Sequence, residues 1–143
     1  MGDEETLTIA EQRARDARQR EQLRQSQTLI EAEQAQKHID AFLVRAREAG
    51  CAPVPLVART LSGTSVKTKQ RGWYLRNDHS VAVGADGKYY LLTVPGGGVL
   101  DRFRTISLTP SPPPLEVGRG GREGETGDLT FFLERVLRGE VTA

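Results

Sequence analysis

Residues 72–94 read GWYLRNDHSVAVGADGKYYLLTV, and this stretch decides the class of fold. Its apolar residues come in short, partly alternating groups rather than at helical spacing, which is typical of β-strands. Between two of these groups stands Asp86-Gly87, a strong signal for a hairpin turn. Because hairpins join antiparallel neighbours, the stretch predicts an antiparallel sheet built strand after strand.

The predicted strand Ser80–Gly84 pairs with a neighbour on each side. On its C-terminal side, a two-residue type I′ turn would place Val83 opposite Tyr90 and Val81 opposite Leu92. Directly opposed residues of an antiparallel pair point to the same face of the sheet. These four side chains are therefore expected to share one buried face.

On the N-terminal side of this strand, residues 77–79 read as a turn. If all three residues form the loop, Trp73 faces Val83 and Leu75 faces Val81. A two-residue loop would put a less apolar set on that face. The sequence therefore favours the three-residue loop, with Trp73 and Leu75 in the core.

Six segments of strand-like composition follow the first third of the chain. They are Val54–Leu61, Thr64–Lys69, Gly72–Arg76, Ser80–Gly84, Lys88–Val94 and Val99–Arg104. With helical patterns at both ends of the chain, they predict an α+β fold: a long N-terminal helix, an antiparallel β-meander of five to six strands and a C-terminal amphipathic helix. A meander of this length is expected to curve towards a barrel-like sheet.

The long helix is predicted because residues 7–49 contain neither proline nor glycine, and Gly50 then ends the pattern. Its second half carries an apolar stripe that should dock on the domain. The stripe consists of Leu29, Ala32, Ala35, Ile39, Phe42, Leu43 and Ala46. The first half is almost wholly polar. We therefore expect residues 1–27 to be a helical or partly disordered extension, and residues 28–143 to be the folded domain.

Four apolar residues of the helix fall on a single heptad position, which two charged residues interrupt. In chain order this position is occupied by Ile9, Asp16, Leu23, Ile30, Lys37 and Val44. A regular coiled coil also needs a second sustained apolar position, and the sequence has none. The heptad position nevertheless predicts a partner-binding face, with Leu23 and Ile30 as its contact residues.

The C-terminal part is predicted to be a long loop at 109–127 followed by a helix. Asp128 is a suitable N-cap residue, and Gly139 suits the C-terminal end. The apolar stripe of this helix is Leu129, Phe132, Leu133, Val136 and Leu137. Arg119 and Arg122, on the glycine-rich part of the loop, are candidate anion-binding residues.

Residues 51–77 contain five basic side chains and no acidic one. Strand periodicity would project Lys67, Lys69 and Arg71 from one face, with Arg76 further along. Two aromatic residues stand between them, Trp73 and Tyr74. Basic side chains neutralise phosphates and aromatic rings stack on bases, so this set is a candidate nucleic-acid site.

Composition narrows the function classes further. One cysteine, Cys51, and two scattered histidines give no metal-binding set, and no nucleophile, base and acid stand in a usable pattern. The sequence therefore predicts no catalytic residue, metal or cofactor. No stretch is apolar enough to span a bilayer, and the acidic start does not resemble a secretion signal, so the expected location is the cytoplasm.

These observations favour a non-catalytic protein-interaction or assembly module that uses its N-terminal helix. The partner would be an unidentified protein or a second copy of the chain. The alternative is a nucleic-acid-binding protein that uses the basic and aromatic residues at 67–76.

Overall fold

The computed structural model describes residues 8–96, 103–118 and 126–141. Its elements are α1 (Ile9–Glu48), β1 (Val54–Thr60), β2 (Ser65–Tyr74), β3 (Val81–Gly84), β4 (Tyr89–Leu91), β5 (Thr93–Val94), β6 (Thr105–Ile106), β7 (Glu116–Val117), β8 (Gly127–Asp128) and α2 (Leu129–Leu137). The predicted α+β class is confirmed: a long N-terminal helix, a mainly antiparallel sheet and a short C-terminal helix.

The main sheet has the strand order β4-β3-β2-β1-β5, with β6 paired to β2. The hairpin pairs are antiparallel, but β5 runs parallel to β1 and β6 parallel to β2, so the meander is not antiparallel throughout. Leu92 alone separates β4 from β5; its N–H donates to Ser80 O (2.9 Å) and its carbonyl accepts from Arg59 N (2.8 Å). The sheet therefore curls strongly without closing into a barrel.

The predicted pairing of β2 with β3 is confirmed. Trp73 lies opposite Val83, and Leu75 N–H donates to Val81 O at 3.0 Å. The loop between them contains His79 in the left-handed region (φ 58°). The apolar pattern of the sequence thus predicted the correct register between β2 and β3.

The predicted pairing of β3 with β4 is wrong by one residue. Val83 lies opposite Tyr89, and Tyr90 lies opposite Ala82 on the other face of the sheet. The cause is a three-residue loop in place of a type I′ turn. Gly87 N–H donates to Gly84 O at 2.9 Å, and Gly87 (φ 81°) takes the left-handed position of the bulge that follows.

Both faces of the curved sheet are buried, so there are two clusters of core residues. The outer face packs against both helices through Ala35, Ile39, Phe42, Ala46, Trp73, Leu75, Val81, Val83, Tyr89, Val117, Leu129, Phe132, Leu133 and Val136. The inner face contains Leu56, Ala58, Tyr74, Ala82, Tyr90, Leu92 and Leu108. A one-residue shift between β3 and β4 keeps both faces apolar, which explains why patterning alone did not detect it.

Strand β2 is a single strand where the sequence predicted two. Its register with β1 shifts between Pro55 and Val57, and Thr68 lies at that irregularity. The Thr68 hydroxyl donates to Leu56 O (2.7 Å) and accepts from Gln70 N–H (3.3 Å). These side-chain hydrogen bonds take the place of the backbone hydrogen bonds that are interrupted at the irregularity.

Three predictions concern the chain after β5. The predicted strand Val99–Arg104 lies mostly outside the described residues, and its last two residues are not in a strand. The short strand β6 was not predicted. In the predicted loop at 109–127, β7 pairs with β8, and Leu115 N–H and Ser111 N–H donate to Glu31 and Tyr89. That part of the segment is anchored to the domain.

Helix α1 begins and ends close to the predicted residues. Gly50 (φ 71°) follows its last turn, and Cys51 N–H donates back to Ala46 O at 2.8 Å, so the glycine closes a Schellman cap. The docked stripe is shorter than predicted, because Leu29 is 64% exposed. The domain contacts α1 only from Glu31 onwards.

Helix α2 confirms the predicted amphipathic helix, with Gly139 (φ 73°) after its end. Asp128 is its N-cap residue, but its side chain makes no capping hydrogen bond. Its buried face lies against α1 and the sheet, and Glu134 forms an ion pair with Arg45 of α1. Helix α2 therefore packs beside the docked half of α1 and helps to fix it on the domain.

Gly72 is the tightest contact between β2 and β3 and gives a stability prediction. A Cβ there would lie 2.1 Å from Val83 O and 2.7 Å from Gly84 Cα. Gly72→Ala forces the two strands apart and should lower the free energy of unfolding by roughly 1–3 kcal/mol or more, measured by urea titration. Gly127→Ala is the control, since its Cβ meets nothing closer than 3.4 Å. Equal stability of both variants would contradict this account.

Candidate functional site

The projecting part of α1 is the most unusual surface of the molecule. Every residue from Thr8 to Ile30 is exposed. At 1.5 Å per residue, the segment Ile9–Ile30 extends about 33 Å beyond the domain. Thr8 caps its start by accepting from Glu11 N–H at 3.1 Å, and Glu21 pairs with Arg24 at 3.1 Å. Local interactions of this size stabilise a helix only weakly.

The docked half of α1 is held by apolar and polar contacts. Phe42 meets Trp73 edge-to-face with ring centroids 5.1 Å apart. Gln36 donates to Gly87 O at 2.8 Å, which ties the helix to the β3–β4 turn. The Arg45 guanidinium hydrogen-bonds the Glu134 carboxylate, and this hydrogen bond raises the pKa of Arg45 and lowers that of Glu134. The projecting segment thus extends from a firmly fixed base.

The two predicted partner-binding residues lie on this projecting segment. Leu23 is 64% exposed and Ile30 is 57% exposed. At 100° per residue, they lie on one side of α1, roughly 140° around the axis from the buried stripe. This outer face points away from the domain, so nothing in the described part of the chain covers either side chain.

The candidate nucleic-acid residues separate into an exposed and a buried group. Lys67, Lys69 and Arg71 alternate along β2 and are all exposed, as predicted. Trp73 and Tyr74 are buried, with exposures of 9% and 6%. Neither ring presents a face to solvent, and stacking on a base requires one. The structure therefore brings together the basic residues without the aromatic pair.

Both aromatic residues have structural partners. The Trp73 indole donates to Cys51 O at 3.2 Å, beside the end of α1. The Tyr74 hydroxyl accepts from Val57 N–H at 2.9 Å, and the Tyr74 ring stacks on His79 with centroids 3.8 Å apart. The alternating pattern of the sequence could not predict that both rings are buried. The first part of β2 has one buried face, whereas both of its faces are buried from Gly72 onwards.

Arg76 and the turn after β2 form a small polar cluster. Arg76 pairs with Asp78 at 3.0 Å, and its side chain is only 12% exposed. Partial burial works against ionisation of Asp78, but hydrogen bonds from the Ser80 hydroxyl (2.7 Å) and N–H (3.0 Å) lower its pKa overall. Arg76 is therefore less available to a ligand than the three exposed basic residues of β2.

Grooves on the described part of the domain include two that lie beside candidate residues. The first, of about 380 Å³, is lined by Leu43, Ala46, Arg47, Gly50, Cys51, Ala52, Pro53, Trp73 and Ala85. The second, of about 270 Å³, contains His79 and Ser80 with Asp78, whose carboxylate already bonds Ser80 and Arg76. The sequence predicted neither, because each forms where the end of one element meets the turn of another.

The other candidate residues of the sequence lie apart from these surfaces. His38 is exposed on α1, and Cys51 is half-buried as a free thiol. Arg119 and Arg122 lie outside the described residues. Across 8–96, 103–118 and 126–141, no group of three His, Cys, Asp or Glu side chains could hold a metal ion. Neither helix in those ranges is long and apolar enough to cross a membrane.

No protein-family model, no curated protein and no solved structure matches the chain.

The paired tyrosines of β4 predict how stability depends on pH. Burial raises the pKa of Tyr89 to about 12, and burial with a 2.5 Å hydrogen bond to Asp86 raises that of Tyr90 to about 12. In the unfolded chain both phenols ionise at about pH 10. The stabilisation that the two neutral phenols give the folded state is therefore complete below about pH 10 and is lost as the pH rises towards about 12.

We expect the free energy of unfolding, measured by urea titration, to fall between about pH 10 and about pH 12, with tyrosinate absorbance lagging until the protein unfolds. Tyr90→Phe keeps the ring but removes one ionisable group, so its stability should decline less steeply. Ionisation of Tyr89 and Tyr90 near the ordinary value in the intact fold would refute this explanation.

Proposed function

We propose that the chain is a non-catalytic protein-interaction module whose projecting helix is the contact surface. The single observation that carries the proposal is the exposure of Leu23 and Ile30 on the outer face of α1. When a partner covers an exposed apolar side chain, the complex is stabilised by an amount that grows with the apolar area removed from water.

The length of the unsupported segment supports the same reading. A polar helix without tertiary contacts is marginal in water, because propensity and surface ion pairs barely offset the cost of ordering the backbone. Residues 9–30 have no packing contact with the described domain. A partner along this segment would supply the missing stabilisation.

The groove beside Trp73 is the competing surface on the domain. It is apolar in part, but it is short and already closed on one side by the end of α1. The outer face of α1 extends over more than twenty residues and presents its side chains without steric obstruction. The helix is therefore the better candidate for a macromolecular partner.

Site-specific photo-crosslinking in living cells tests the proposal. A photoreactive residue replacing Leu23 should yield a covalent protein adduct, because it lies on the outer face. The control is the same substitution at Leu29, which has the same 64% exposure but lies roughly 120° away around the helix. Adducts at both positions, or at neither, would sink the proposal.

Nucleic-acid binding is the second candidate, and it now depends on Lys67, Lys69 and Arg71 alone. Three exposed basic side chains on one face of β2 can contact phosphates without reading bases. Without an exposed aromatic ring, such binding is expected to be weak and strongly salt-dependent.

Fluorescence anisotropy with duplex DNA and single-stranded RNA distinguishes this candidate. If the basic strand binds, Lys67→Glu with Lys69→Glu should weaken binding at low salt by about tenfold or more, whatever the base sequence. Lys88→Glu, at an exposed lysine beside the β3–β4 turn, is the control for Lys67→Glu alone, since the two single variants change the net charge equally. Absence of binding by the parent protein at low salt would remove the candidate.

A further inference from the structure

The outer face of α1 carries one side chain every seven residues, from one end of the helix to the other. In order these are Ile9, Asp16, Leu23, Ile30, Lys37 and Val44, and all six are exposed. The row continues over the docked half of α1, because the domain lies against the other side of the helix there. A partner helix would therefore find this row uncovered along the full length of α1.

We infer that the partner of this face is a second copy of the chain, whose α1 packs antiparallel with Leu23 opposite Ile30. The inference rests on the proposed function and names its partner. What carries it is the order of residues in the row, because that order is self-complementary when the chain direction is reversed.

The charged members of the row give the clearest sign of this complementarity. With Leu23 opposite Ile30, reversal places Asp16 opposite Lys37 and Ile9 opposite Val44. Two-fold symmetry produces each contact twice. The two residues that interrupt the apolar row thus face each other as opposite charges. In a regular coiled coil they would simply be defects.

A second row on the same face follows the same rule. It consists of Gln12, Gln19, Ser26, Glu33 and Asp40, and in this register these residues meet Ala41, Gln34, Gln27, Arg20 and Arg13 of the second copy. No like charges meet across either row. Polar and charged side chains take the positions that a strong coiled coil fills with leucine, so the association is expected to be specific in register but weak, roughly in the micromolar range.

The parallel arrangement is disfavoured by the same residues. In register it would place Asp16 against its own copy and Lys37 against its own copy. Each is a like-charge contact, which destabilises helix pairs. The antiparallel arrangement converts both contacts into attractions. It also puts the two folded domains at opposite ends of the helix pair, where they do not compete for space.

Sedimentation equilibrium of the full chain tests the inference. The parent protein should dimerise, and Leu23→Glu should weaken the dimer at least about tenfold, because it buries two charges at the centre. Leu29→Glu, an equally exposed leucine off this face, should leave it unchanged. All these positions are exposed, so circular dichroism should show an intact domain in every variant.

Charge exchange tests the direction of the helices. Asp16→Lys alone and Lys37→Asp alone each place two like-charge pairs in the antiparallel dimer, and each should weaken it about tenfold or more. An equimolar mixture of the two variants restores every attraction, so a heterodimer of near-parental affinity should form. In a parallel dimer, neither single variant would weaken association.

Each contrary outcome has a definite meaning. A parent protein that stays monomeric at high micromolar concentration overturns the inference, as does a dimer indifferent to both charge variants. If the monomer still gives a position-specific adduct with a different protein at residue 23, the interaction function stands and the second copy is ruled out. If no adduct forms either, both proposals fail.

Discussion

The contact on which the rest of the structure depends is the packing of α1 against the outer face of the sheet, centred on Phe42 and Trp73. Their rings meet edge-to-face, an arrangement that aromatic pairs prefer and that adds to the free energy of simple burial. The Trp73 indole also bonds the backbone at the end of α1. One side chain therefore joins the sheet, the helix and the loop that connects them, and it fixes the direction in which α1 leaves the domain.

The second constraint is that the short central strands are buried on both faces. Val81, Ala82, Val83 and Gly84 are all buried, because helices cover one side of β3 and the curled sheet covers the other. Exposed polar side chains are therefore found on elements with a free side, such as the first part of β2 and α1. Gly72 follows from the same crowding, since β3 approaches β2 too closely there to admit a Cβ.

Helical features were the best predicted from sequence, since glycine ends each helix and spacing of three and four marks its buried side. The register of β2 on β3 was also correct, because only one loop length put Trp73 and Leu75 together. The next turn was not, because both Tyr89 and Tyr90 are apolar enough to be buried and either register satisfied the pattern. The parallel pairs and β6 depend on contacts between distant segments, which local pattern does not report.

Of the candidate sites, exposure of Leu23 and Ile30 and of the basic residues on β2 agreed with expectation. Burial of Tyr74 did not, because its ring is enclosed by the curl of the sheet and covered by His79. The grooves on the domain could not be predicted from the sequence either. Each is a junction between elements, and composition describes elements singly.

The projecting helix acts as a lever. From Ala35, the first buried residue of α1, to Ile9 is about 39 Å along the axis, so a bend of about 10° near the base moves the free end by about 7 Å. Bending at the base would therefore be magnified at the tip, which would enlarge the distance over which a first encounter could occur.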